Sequence, residues 1–296
     1  MKKVKKHIGR ANQFIITLII ALNLLKKTDD AKIIPEILEE THTSWAPKNK
    51  DNTIELSRSF LMLSVLNRAV DSLDTYIALS LKKPVLFQNT SLVNKLNGQK
   101  WISEKIASIF DYIPIDQKIQ SFIRLIIKWR NSVVHYKAEN ILLDTDLSVM
   151  KSNQSWYQEK FQNLDINILI SKFNAMNSKP TLKEITSIFR CIHMILQEID
   201  SHELFEINSY EDKKELYLKN LIDTCFSTPD KNRKKELVRS IWGNDIKTNE
   251  RKMMEFLKDC GLSDNKESEF SVIFDNCILD TLISKKPTEI LNWLND

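Results

Sequence analysis

Residues 115–137 read IDQKIQSFIRLIIKWRNSVVHYK, and their apolar spacing decides how the chain folds. At about 100° per residue, Ile119, Phe122, Ile126, Trp129 and Val133 fall on one stripe, the pattern of a helix that buries a single face. Pro114, just ahead, suits a helix start, where its missing N–H costs nothing. Against that apolar frame Arg130, Asn131 and His135 stand out. Asn131 and His135, four apart, share a face, whereas Arg130 lies at the edge of the stripe, about 140° from His135 on a straight helix.

Working outward, the same period predicts helices over residues 12–27, 54–82, 101–110 and 166–176. The second ends before Pro84, as the residue preceding a proline disfavours helical backbone. Thr181 and Glu184 form a capping box that opens a further helix through residue 202. Residues 28–51 are polar and Pro-containing, with a short helix expected around 35–40; residues 84–98 read as a loop or turn. Residues 138–163 lack clear periodicity and read as a long loop or insertion beside the motif. With only 4 Gly and 7 Pro in 296 residues, little material is left for tight hairpins, and the fold class is all-α.

After residue 205 the predicted helices shorten and are punctuated by Pro229, Gly243, Gly261 and Pro287. The expected organisation is an N-terminal helix and connecting segment over 1–53, a helical domain over 54–205 and a C-terminal helical module over 206–296.

The net charge of +4 permits an anionic partner without demanding one. Basic residues gather at Lys2, Lys3, Lys5, Lys6 and Arg10, and again at Lys231, Arg233, Lys234, Lys235 and Arg239. Either group suits a phosphate-tracking surface, and equally a solvated tail and the wet face of an amphipathic helix. Cys191, Cys225, Cys260 and Cys277 have no zinc-ligand spacing and are expected as free, buried thiols. The run FIITLIIALNLL at residues 14–25 is shorter than the roughly 20 residues a membrane span needs, and no small-residue cleavage site follows. It is expected as a buried first helix of a cytoplasmic protein with no membrane partner. No Gly-rich phosphate loop, Gly-x-Ser-x-Gly elbow or His-Glu-x-x-His is present, which disfavours P-loop nucleotide hydrolysis and zinc hydrolysis.

On the helix of residues 54–82, Leu63, Leu66, Val70, Leu73 and Ile77 form the inner stripe, and Asn67, Asp71 and Asp74 line its flank. Acids on the border of a core can hold a nearby Arg130 or His135 in place; equally, they can form a half-exposed polar flank. Arg130 presents a planar fork of donors that matches a phosphate, and His135 has an ordinary pKa close to neutrality.

The Arg-Asn-x-x-x-His run made by Arg130, Asn131 and His135 resembles the signature of the HEPN family, small helical domains found in many bacterial toxins and antiphage nucleases. The resemblance implies a HEPN-like helical bundle over about 55–205 that acts as a metal-independent endoribonuclease without a cofactor. It further implies a twofold homodimer with a composite site. His135 would then serve as general base or acid, Arg130 would stabilise charge on the phosphorus oxygens, and Asn131 would orient the imidazole or bond a phosphate oxygen. Cleavage by 2′-hydroxyl attack would leave a 2′,3′-cyclic phosphate and a 5′-hydroxyl on the RNA. A toxin or antiphage role and an antitoxin or sensor partner belong to the same implication. Tyr136 can stack on a base or simply pack. In some family toxins a tyrosine two places after the histidine is modified; Lys137 stands there in this chain.

Two other classes compete. A catalytically inactive HEPN-like module would bind a nucleotide or a protein, and a helical DNA-binding regulator would use the basic stretch at 230–260.

Overall fold

The structure, a computed structural model, describes residues 2–27, 47–134, 141–175, 179–260 and 276–295. Among these residues it is all-α, with 14 helices and no strand. The helices are α1 (Lys2–Lys27), α2 (Lys50–Ser80), α3 (Thr90–Gly98), α4 (Ile102–Tyr112), α5 (Gln117–Val134), α6 (Asp144–Ser152) and α7 (Gln154–Lys160). They continue with α8 (Ile166–Asn174), α9 (Leu182–Asn208), α10 (Glu211–Cys225), α11 (Lys231–Ile241), α12 (Ile246–Asp259), α13 (Asn276–Ser284) and α14 (Pro287–Asn295). None of the described helices is long and apolar enough to cross a membrane.

The chain divides into two compact units, each assembled from separate stretches. One takes Lys3–Thr75 and Ile115–Ile195; the other takes Met1–Lys2, Tyr76–Pro114 and Leu196–Asp296.

The first unit holds the motif helix. Asp116 starts α5: its side chain accepts the Lys118 N–H at 2.8 Å and its carbonyl accepts the Gln120 N–H at 3.0 Å. The predicted stripe goes inward, with Ile119, Phe122, Ile126 and Trp129 buried, while Val133, near the helix end, is half-buried. Edge-on ring contacts fill the space beside it. Phe122 meets Phe161 at 5.3 Å and Tyr157 at 5.8 Å, and Trp129 meets Phe173 at 6.4 Å. The capping box at α9 forms as expected, Thr181 N–H reaching Glu184 Oε2 at 2.6 Å and Glu184 N–H reaching Thr181 Oγ1 at 3.3 Å.

Several expectations are corrected. Residues 144–160, read as loop, form α6 and α7; their inward face includes the carboxylate of Asp146 and the ring of Tyr157, so an apolar period could not reveal them. Residues 90–98, also read as loop, form α3, capped by Asn89, whose side chain accepts the Leu92 N–H at 2.9 Å. The apolar run in α1 buries Ile15 and Ile19 but leaves Phe14, Leu18, Ile20 and Leu24 exposed, so that helix is buried along one stripe only. Of the cysteines, Cys191 is buried, Cys225 exposed and Cys260 half-exposed; the last two sit at helix ends, where solvent reaches the side chain. The short helix expected at 35–40 lies outside the described residues.

In the second unit, α10–α14 share a core made of Leu218, Ile222, Val238, Trp242, Met253 and Ile290 with their neighbours. Trp242 is fully enclosed and donates its Nε1–H to the Leu282 carbonyl at 2.8 Å. On α11, Val238 and Ile241 point inward while Lys231, Arg233, Lys235 and Arg239 are exposed, and Lys234 pairs with Asp223 at 2.9 Å. The basic stretch is thus the wet face of an amphipathic helix.

Candidate active site

The buried Trp129 anchors the end of α5, and this fixes the direction of the residue that follows it. Arg130 emerges at the border of the core with 22% of its side chain exposed. Its Nη2 donates to Asp71 Oδ1 at 3.0 Å and its Nη1 to Asn131 Oδ1 at 3.2 Å. Nε is buried with no hydrogen-bond partner among the described residues. The guanidinium is held from two sides, by α2 through Asp71 and by its own helix through Asn131.

Asn67, Asp71 and Asp74 all lie on the flank of the α2 core stripe, where Leu66, Val70 and Leu73 are buried. Of the three, Asp71 is the one bonded to Arg130, and its side chain is 51% exposed. Asn67 is half-buried and its Oδ1 has no hydrogen-bond partner among the described residues, while Asp74 is half-buried. His135 and Tyr136 lie outside the described residues, so the Arg130–Asn131–Asp71 arrangement is the described part of the candidate site. The carbonyl of Ile141 accepts a hydrogen bond from Lys128 Nζ on α5.

A guanidinium fixed in this way can receive a phosphate. Its orientation is set before any ligand arrives, so less freedom is lost on binding. Among the described residues no group of three or more His, Cys, Asp and Glu side chains is arranged to hold a metal ion.

A second polar arrangement on α5 escaped sequence reasoning. Asp146 of α6 is 3% exposed and accepts from Ser121 Oγ at 2.9 Å and Arg124 Nη1 at 2.8 Å. Arg124 Nη2 in turn donates to Gln120 Oε1 at 3.0 Å. These residues border a cleft of about 470 Å³, and the second Asp146 oxygen, Oδ2, is buried without a hydrogen-bond partner among the described residues. The partner of Arg124 lies 22 positions along the chain, and no spacing rule points to it. A further cleft of about 390 Å³ is bordered by Arg58 and Lys179, the latter donating to Ser59 Oγ at 2.8 Å.

No protein-family model, curated protein or solved structure matches the chain.

Proposed function

We propose that the chain is a metal-independent endoribonuclease of HEPN type, acting in the cytoplasm as a bacterial toxin or antiphage protein. The observation that carries this reading is the Arg130–Asp71 pair, with Asn131 on the other side of the guanidinium. An ion pair whose carboxylate is half-exposed contributes about 0–1 kcal/mol to stability, so the use of the arrangement lies in orienting the arginine. Five positions further on stands His135, the residue type suited to proton transfer near neutral pH.

In this reading Arg130 binds and neutralises the scissile phosphate, Asn131 orients a phosphate oxygen or the imidazole, and His135 moves a proton. The attacking 2′-hydroxyl loses a proton and the leaving 5′-oxygen gains one. Each chain supplies a single histidine at this site, so a twofold dimer with two copies facing one RNA strand supplies both groups. An antitoxin or sensor partner would restrain the activity in its host.

The test is incubation of wild type, Arg130→Ala and His135→Ala with total RNA and with tRNA in EDTA, followed by assay for 2′,3′-cyclic phosphate ends. Cleavage by wild type alone is expected. Equal cleavage by all three proteins would assign the activity elsewhere, and no cleavage by wild type would favour the non-catalytic binding module.

A further inference from the structure

Cys225 closes α10 and Cys260 caps α12, and their sulfurs stand 3.9 Å apart, within hydrogen-bonding contact. Thirty-five positions separate them in sequence. The contact is set by the packing of the two helices: Leu218 and Ile222 of α10 share a core with Met253 and Leu257 of α12. Phe226, next in sequence to Cys225, and Phe256 of α12 approach to 5.6 Å between ring centroids. Cys225 is open to solvent and Cys260 partly so, whereas Cys191 is fully buried.

We propose that Cys225 and Cys260 form an oxidisable dithiol that closes to a disulfide on reaction with a hydroperoxide, tying the end of α10 to the end of α12. The two sulfurs need approach by less than 2 Å to reach bonding distance, about 2.05 Å, a movement within the range of side-chain rotation at helix termini. Exposure of Cys225 lets a small oxidant in, and the neighbouring thiol makes the resulting sulfenic acid short-lived. The Cys260 thiol hydrogen-bonded to Cys225 also draws the pKa of the latter down to about 7, against the opposing effect of burial, which favours the thiolate that attacks.

The Cys225 thiolate attacks one peroxide oxygen; the O–O bond breaks and hydroxide leaves, taking a proton to become water. Cys260 then gives up its proton and its sulfur attacks Cys225 Sγ. The S–O bond breaks, a second water departs and the S–S bond forms. Two thiols are oxidised by two electrons in all, and the peroxide is reduced to water. The inference is independent of the ribonuclease reading, since both cysteines lie in the other unit.

The full chain treated with stoichiometric hydrogen peroxide is expected to lose the mass of two hydrogens, and non-reducing peptide mapping should join the peptides that carry residues 225 and 260. Loss of alkylatable thiol at these two positions should run at least ten-fold faster than at Cys191. Cys225→Ser and Cys260→Ser should each fail to form an intramolecular link. Gain of oxygen without a crosslink, a crosslink to Cys277 or Cys191 in its place, or oxidation at the rate of Cys191 would each overturn the proposal. The mapping on wild type decides it even where a variant folds poorly.

Discussion

Asp71 Oδ1 accepts a hydrogen bond from Arg130 Nη2 at 3.0 Å, so the guanidinium at the end of α5 is aimed by a carboxylate on α2. Because Asp71 is half-exposed, its replacement should leave stability within about 0.5 kcal/mol of wild type. If the pair positions Arg130 for phosphate, Asp71→Ala should lower RNA cleavage by about 10-fold to 100-fold, on the scale of a misplaced binding group. Parallel measurement of cleavage rate and thermal midpoint separates the two effects. A variant that loses stability but not rate would make the pair structural.

Asp146 offers the opposite balance. It is nearly inaccessible and serves both Ser121 and Arg124, so Asp146→Ala removes the acceptor of a buried hydroxyl and of one donor of a partly buried guanidinium. The expected cost is about 2–3 kcal/mol, with Asp146→Asn losing less because one acceptor survives. Urea unfolding of the two variants checks the order. Equal stability of Asp146→Ala and wild type would mean that solvent replaces the carboxylate without penalty.

The difference between these two acids shows what the sequence makes legible. The α5 stripe and the Thr181–Glu184 box depend on neighbours three or four residues away, and their period and caps are visible without the fold. The acid flank of α2 is equally visible, though which of Asn67, Asp71 and Asp74 meets Arg130 depends on how α2 and α5 cross. In α6 the inward position belongs to Asp146, a charged residue made tolerable there only by Ser121 and Arg124 on another helix. Hydrophobic periodicity fails in that situation, as it does for the nine-residue α3, which buries only Leu92 and Leu96. The Cys225–Cys260 contact carries no local signal at all, since it follows from tertiary packing alone.

Asn249 is a buried polar clasp in the core of the second unit. Its Oδ1 accepts the Gly243 N–H at 2.7 Å, and its Nδ2 donates to the carbonyls of Ile283 at 3.2 Å and Gly243 at 3.3 Å. Asn249 is 2% exposed and serves the buried Ile283 carbonyl, whereas Gly243 is exposed and its groups can turn to water, so Asn249→Ala should cost about 1–3 kcal/mol. Asn249→Asp keeps the acceptor but sets a carboxylate against two carbonyls, so it should be at least as damaging at neutral pH. Denaturant midpoints for both variants provide the measurement, and a loss under about 0.5 kcal/mol for alanine would remove the clasp from the list of stabilising contacts.

Glu203 makes stability fall as pH rises, through a carboxyl whose pKa is raised in the folded chain. The side chain is wholly inaccessible; Oε2 accepts the Gln88 N–H at 2.8 Å, while Oε1 lies 3.4 Å from His202 Nδ1 without the alignment of a hydrogen bond. Burial raises its pKa above the ordinary carboxylate value, and the Gln88 N–H and His202 only partly oppose that rise. A raised folded-state pKa means that the folded chain retains a proton the unfolded chain has released. The stabilising contribution is therefore complete below the unfolded value of 4.5 and is lost as pH climbs through the folded one. Glu203→Gln keeps an acceptor for Gln88 and carries no charge at any pH, so its stability relative to wild type should increase from pH 4 to pH 8. Urea midpoints of both proteins across that range test the sign, and a relative stability that falls with rising pH would show the contacts to the carboxylate outweighing the cost of its burial.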